Sequence, residues 1–117
     1  MLFTEDGEIV RPSTYPYHPL KGREAIRELG GKLPPAMLSG SRHVRSNFIV
    51  DVLSPGSAVC RSLFMRFGDN RPFAERQVAL PMTEALRSAG EYEERMVRAR
   101  EGWRIRSRVG RFVLGSV

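Results

Sequence analysis

The residue best suited to chemistry is His43, at the head of an alternating stretch, Arg42 to Leu53. An imidazole changes charge near neutral pH, so it can take up a proton and return it. Read as a strand, the stretch sets His43, Arg45, Asn47, Ile49 and Asp51 on one face and Val44, Phe48, Val50 and Val52 on the other. A histidine base works best beside an orienting carboxylate. The three aspartates, Asp6, Asp51 and Asp69, give no obvious partner for it. Tyr92 and Glu94 share a face of another alternating stretch. The Tyr92 hydroxyl could hydrogen-bond a carbonyl or enolate oxygen, whereas Glu94 reads as an ion-pair partner for an arginine such as Arg108. Asn47 could orient a ligand carbonyl. Arg61 sits mid-strand, where a buried guanidinium would want an anion. Tyr15, Tyr17 and His18 lie together in a proline-broken loop, and Trp103, Ile105, Met96, Phe64 and Leu63 read as core or ligand lining.

These side chains are positioned by strands. Arg42 to Leu53 and Ala58 to Phe67 alternate on either side of Ser54-Pro55-Gly56-Ser57, a hairpin turn. Gly90 to Val113 reads as a second, longer hairpin folded at Arg100-Glu101-Gly102, with unlike faces. Glu8 to Arg11 is a short strand that follows a turn over Thr4 to Gly7. Gly22 to Leu29 is a short helix with Ala25, Ile26 and Leu29 on one stripe, ended by Gly30-Gly31. Leu33 to Leu38 is apolar but proline-stiffened, as a loop across a pocket mouth would be. Between Val78 and Ser88, Pro81 argues against a central strand, and Thr83 to Arg87 could form a helical turn. The sum is one α+β domain over 1–117: about five mostly antiparallel strands in a strongly bent sheet, with few helices. One eight-residue helix cannot cover such a sheet, so a second copy or further helices must do so.

The chain has 117 residues, of which 41% are hydrophobic and 27% charged, the balance of an ordinary globular domain. No apolar run reaches the roughly 18 residues a membrane helix needs. No secretory leader is evident at the start, and the lone Cys60 fits a reducing compartment, so a cytoplasmic protein is expected. The net charge is +6, almost all of it from arginine, since Lys21 and Lys32 are the only lysines. The arginines are scattered among glutamates and do not interleave with stacking aromatics. That pattern reads as a solvated or subunit-facing sheet surface and argues against nucleic acid. Cys60, His18 and His43 have no zinc spacing, and no glycine-rich phosphate loop is present, so no metal, nucleotide or other cofactor is expected.

Five pieces recur in order: Leu2-Phe3-Thr4-Glu5-Asp6-Gly7, Gly22-Arg23-Glu24-Ala25-Ile26, Arg42-His43-Val44-Arg45-Ser46-Asn47, Gly90-Glu91-Tyr92-Glu93-Glu94, and Gly102-Trp103-Arg104-Ile105 with Arg108. Together they resemble the SnoaL-like branch of the nuclear transport factor 2-like superfamily. Relatives there include scytalone dehydratase, polyketide cyclases, ketosteroid isomerase and the small subunit of ring-hydroxylating dioxygenases. The resemblance implies a cone-shaped α+β barrel enclosing a pocket. It also implies a domain short of the helices that usually precede the Phe-x-x-Asp-Gly stretch, on which the family's frequent catalytic aspartate, and often a tyrosine, lie. In the dehydratase relatives a histidine at the His43 motif faces the pocket as acid/base, Tyr92 falls where relatives place a polar pocket residue, and Arg61 where they can carry a pocket histidine.

The implied function is a cofactor-independent lyase or isomerase acting by proton transfer next to a carbonyl. His43 would be the acid/base, with Tyr92 and Asn47 holding the oxygen and Arg61, Tyr15, Tyr17 and Trp103 among the ligand contacts. The ligand would be a small apolar or aromatic carbonyl compound, and the protein a homodimer through its sheet. The alternative is a non-catalytic ligand-binding or dimerisation module, or the structural small subunit of a dioxygenase. Fold alone does not separate these, because this fold hosts many functions.

Overall fold

The computed structural model describes residues 2–11, 19–32 and 40–115. Strand β1 is Phe3–Val10, β2 Leu20–Lys21, β3 Ser41–Ser54, β4 Ser57–Gly68, β5 Leu86–Ala99 and β6 Gly102–Gly115. Helix α1 is Arg23–Lys32, and α2 is the single turn Met82–Ala85. The strands form one strongly curved sheet in the order β2-β1-β6-β5-β4-β3. Every pairing is antiparallel except β1 with β6.

Local sequence accounts for most of these boundaries. The β3–β4 turn closes at Ser54 and Ser57, whose hydroxyls lie 2.8 Å apart. The β5–β6 turn closes at Ala99 and Gly102, and Gly102 has φ +126, a conformation side-chain-bearing residues rarely adopt. Pro81 precedes the α2 turn, and β5 begins only at Leu86. Helix α1 runs a little longer than its apolar stripe predicts. The expected turn over Thr4 to Gly7 is instead the middle of β1, where pairing to β6 shifts register between Phe3 and Glu8.

The inner face is the one on which α1 packs. Its core is Phe3, Ile9 and Ile105, with Leu20, Ile26 and Met96 against it. Further along the same face the cover runs out: Phe48, Val50 and Val52 on β3 stay more than half exposed. The radius of gyration is 15.9 Å, against about 13 Å for a compact chain of this length. The excess comes from the long β3–β6 hairpins extending beyond α1.

Pairing register sorts the side chains. Reading across β3, β4, β5 and β6, successive inner-face levels are His43–Arg66–Ser88–Gly115, then Arg45–Phe64–Gly90–Phe112, then Ser62–Tyr92–Gly110, then Val50–Cys60–Glu94–Arg108. Opposite Ser62, β3 contributes two residues, Asn47 and Phe48. This is a β-bulge, and Asn47 takes φ +56 within it. Asparagine tolerates that left-handed conformation better than most residues.

Candidate functional site

Glu94 is the centre of the inner face. It is 3% exposed, and both its oxygens are engaged. Arg45 Nη2 donates to Oε1 at 2.5 Å, and Arg108 donates to Oε2 from Nε at 2.8 Å and makes an ion pair through Nη2 at 2.6 Å. The same Arg45 nitrogen donates to Ser62 Oγ at 2.6 Å. Both guanidiniums also pack on rings. Arg45 lies 5.1 Å from the centroids of Phe48 and Tyr92, and Arg108 lies 5.2 Å from Tyr92 and 5.4 Å from Phe3. Such cation–π contacts strengthen as water is excluded. Tyr92 stacks on Phe64 at 4.5 Å, and Phe64 meets Phe112 edge-on at 5.7 Å. Two arginines on one carboxylate leave this cluster with a net positive charge. With both oxygens taken, Glu94 is a structural anion rather than a free base, in keeping with its reading as a partner of Arg108.

His43 opens the same face, directly opposite Arg66. Partial burial, and then the positive charges of Arg66, Arg11 and Arg108, hold its pKa below the usual imidazole value. It is therefore neutral and able to accept a proton at pH 7. None of the three aspartates serves it. Asp6 accepts from the Thr4 hydroxyl, Asp51 from Arg61, and Asp69 from Arg71 through both oxygens.

The structure brings His43 and Tyr92 to one face and puts Asn47 and Arg61 on the other. The bulge at Asn47–Phe48 reverses the alternation, so Phe48, Val50 and Val52 join His43 and Arg45 while Asn47, Ile49 and Asp51 turn outward. Arg61 is also outward, 3.1 Å from Asp51 and 3.5 Å from Glu93. Asn47, Ile49, Arg61, Leu63, Glu93 and Val109 line an open outer groove of about 520 Å³. Its charges already neutralise one another, for Arg61 pairs with Asp51 and Glu93 and Arg111 with Glu91. Trp103 shares the inner face with Ile105 and is 37% exposed. Tyr15 and Tyr17, and the loop from Leu33 to Leu38, lie outside the described residues.

Arg45 is the site residue that single-strand reasoning missed. Its sequence signal was its shared parity with His43; its partner Glu94 is 49 residues away. Burial, with the nearby Glu94 charge, pushes the Cys60 thiol above its ordinary pKa, which disfavours a nucleophilic thiolate. Among the described residues no three His, Cys, Asp or Glu converge as metal ligands.

A strongly curved α+β sheet of this order is the architecture of nuclear transport factor 2-like proteins with a cystatin-like fold. Residues 1–109 match the SnoaL-like domain, and the chain belongs to that family. An NTF2-like protein from Novosphingobium aromaticivorans superposes with a TM-score of 0.76 at 22% identity, over 98% of this chain and 67% of that one. A candidate scytalone dehydratase from the same organism gives 0.72 at 21%, over 97% and 67%. ActVI-ORFA from Streptomyces coelicolor gives 0.68 at 20%, over 95% and 77%. At these identities the likeness is one of fold, and the chain spans about two thirds of the first two proteins. No curated protein matches the sequence significantly. Among the described residues no helix is long and apolar enough to cross a membrane.

Proposed function

We propose that the inner face binds a small apolar or aromatic carbonyl compound and that His43 moves the proton next to the carbonyl, as a cofactor-independent lyase or isomerase would. The observation that carries this reading is a neutral imidazole on the same sheet face as Phe48, which is more than half exposed beside the buried rings of Phe64 and Tyr92. A base must be unprotonated at working pH, and the surrounding arginines favour that state while also stabilising an enolate once it forms. The Tyr92 hydroxyl is the donor to a ligand oxygen. Four strand residues separate its level from that of His43, roughly 13 Å along a flat strand. A ligand touching both would therefore have the length of two or three fused rings. Asn47 and Arg61 face outward and have no part in this step.

The direct test is α-proton exchange. The protein is incubated in D2O with neutral aromatic ketones, and loss of the α-proton signal is followed by NMR. Exchange well above buffer, reduced about 100-fold or more in His43→Ala, is the expected result. Undiminished exchange in that variant would remove His43 from the reaction, and no exchange with any ketone would favour a non-catalytic binding module.

The outer face supports a second element, pairing of two chains through their sheets. Val44, Leu63, Met65 and Val109 are all more than 40% exposed there, on a surface whose charges are already paired. Sedimentation should show a dimer that Leu63→Glu with Met65→Glu dissociates. A monomer at tens of micromolar would rule the dimer out.

A further inference from the structure

Three buried polar atoms on the inner face have no hydrogen-bond partner, Nε of Arg45, Nε of Arg87 and Oγ of Ser88, and the last two lie together at the His43 end. Ser88 is only 3% exposed. Buried polar groups are nearly always paired, so two orphans in consecutive residues call for a partner that binds. Both point the same way for a definite reason. Pairing of β4 with β5 skips a residue between Arg66–Ser88 and Phe67–Leu86, and the extra residue is Arg87. The bulge turns the Arg87 side chain onto the face that Ser88 already occupies. It crosses above Gly68, where an added Cβ would meet Arg87 Cγ at 3.3 Å, Arg87 Nε at 3.5 Å and Arg66 Nη1 at 3.8 Å. Arg66 and Arg87 thus converge over one glycine, beside Ser88 and in register with His43. Asp69, the acid nearest Arg66 in sequence, is occupied by the guanidinium of Arg71 through both oxygens, and Glu91, three residues after Ser88, pairs with Arg111. On β3 to β6 this face carries Arg45, Arg66, Arg87, Arg108 and, at its far end, Arg98 against one carboxylate, Glu94, which already neutralises its share.

We propose that Arg66, Arg87 and Ser88 form an anion subsite that takes the carboxylate of an aromatic acid. Guanidinium forks match the two oxygens of a carboxylate, and a serine hydroxyl can add a third donor. The next level of the face, one strand repeat or roughly 7 Å away, is Phe64, Gly90 and Phe112. The carboxylate therefore lies on the arginines and the ring toward Phe112, which is part-exposed whereas Phe64 is buried. The proposal rests on the reading of the inner face as the ligand face, and it narrows that ligand to one bearing an acid group.

The test compares phenylacetate with the isosteric neutral phenylacetamide by calorimetry and by NMR of the intact chain. Phenylacetate is expected to bind at least tenfold more tightly and to raise the pKa of His43 from its depressed value. Arg66→Gln and Arg87→Gln should each abolish that preference, weakening the acid far more than the amide, and Arg87→Lys should keep part of it. Ser88→Ala retains all the charge and deletes an orphan hydroxyl, so it should fold normally and weaken only the acid. Equal binding of acid and amide overturns the subsite. So does a preference that survives the double glutamine variant, or inorganic phosphate binding alone with phenylacetate no tighter than acetate. The two proposals fail separately. Exchange of neutral ketones without acid preference removes the subsite alone, and acid preference without exchange removes proton transfer alone.

Discussion

Glu93 and Glu94 are neighbours in the chain with opposite fates. Glu94 turns inward, is nearly fully buried, and is gripped by Arg45 and Arg108 between aromatic rings. Glu93 turns outward, is 40% exposed, and faces Arg61 at 3.5 Å and Arg95 at 3.6 Å. The charges and residue types are the same, but water screens one set and has been removed from the other. A surface pair is nearly free to break. Truncating one member of a buried cluster leaves charge stranded in a poor solvent.

Substitutions at these two positions should differ accordingly. Glu94→Ala leaves two arginines without their anion and should cost about 3–5 kcal/mol, read as a fall in Tm of more than about 10 °C. Adding Arg45→Met and Arg108→Met should restore much of the loss, because the triple variant buries no charge. If Glu94→Ala alone were neutral, the cluster would be wetter than its burial indicates. Gly90→Ala tests the packing on the inner side. Its Cβ would clash with the Arg111 carbonyl oxygen and meet Phe64 at 2.9 Å, so the strand pair must shift, at about 1–3 kcal/mol by denaturant titration.

A pH series is a subtler probe. The folded pKa of His43 lies below its unfolded value. Its contribution to stability is therefore complete above about pH 6.5 and lost as pH falls through the folded value. The unfolding free energy should rise with pH up to about 6.5, and His43→Ala should flatten that slope. A steeper slope in the variant would mean that protonated imidazole is stabilised. The smallest effect is expected at Glu93. Glu93→Ala should cost no more than about 1 kcal/mol and less in high salt. A loss as large as that at Glu94 would show that the outer face is covered, as a sheet-to-sheet dimer would cover it.

Much of the architecture was legible in the sequence. The two hairpins, their turns, the short helix, the break at Pro81 and the Glu94–Arg108 pair all follow from short-range patterns, and the ordered pieces from Leu2 to Arg108 identified the SnoaL-like fold. The faces of the strands were less legible. Alternation assigned Asn47 to the side of His43. The bulge at Asn47–Phe48 turned it away, and a second at the Arg95–Met96 step brings Arg108 onto the face of Ile105. A bulge inserts one residue without changing the hydrophobic count, so a period-2 reading passes over it. Asn47, a residue at ease at positive φ, was the one local hint.

By itself the sequence determined the elements, because hydrogen-bonded strands, turns and helix ends depend on a few neighbouring residues. It also determined the family. Only the tertiary structure decided which arginines meet Glu94, that Arg66, Arg87 and Ser88 converge, and that Asn47 and Arg61 face away from His43. Those relations depend on register between distant strands and on sheet curvature. A single inserted residue changes which face a side chain joins, and so decides whether its charge is buried or solvated.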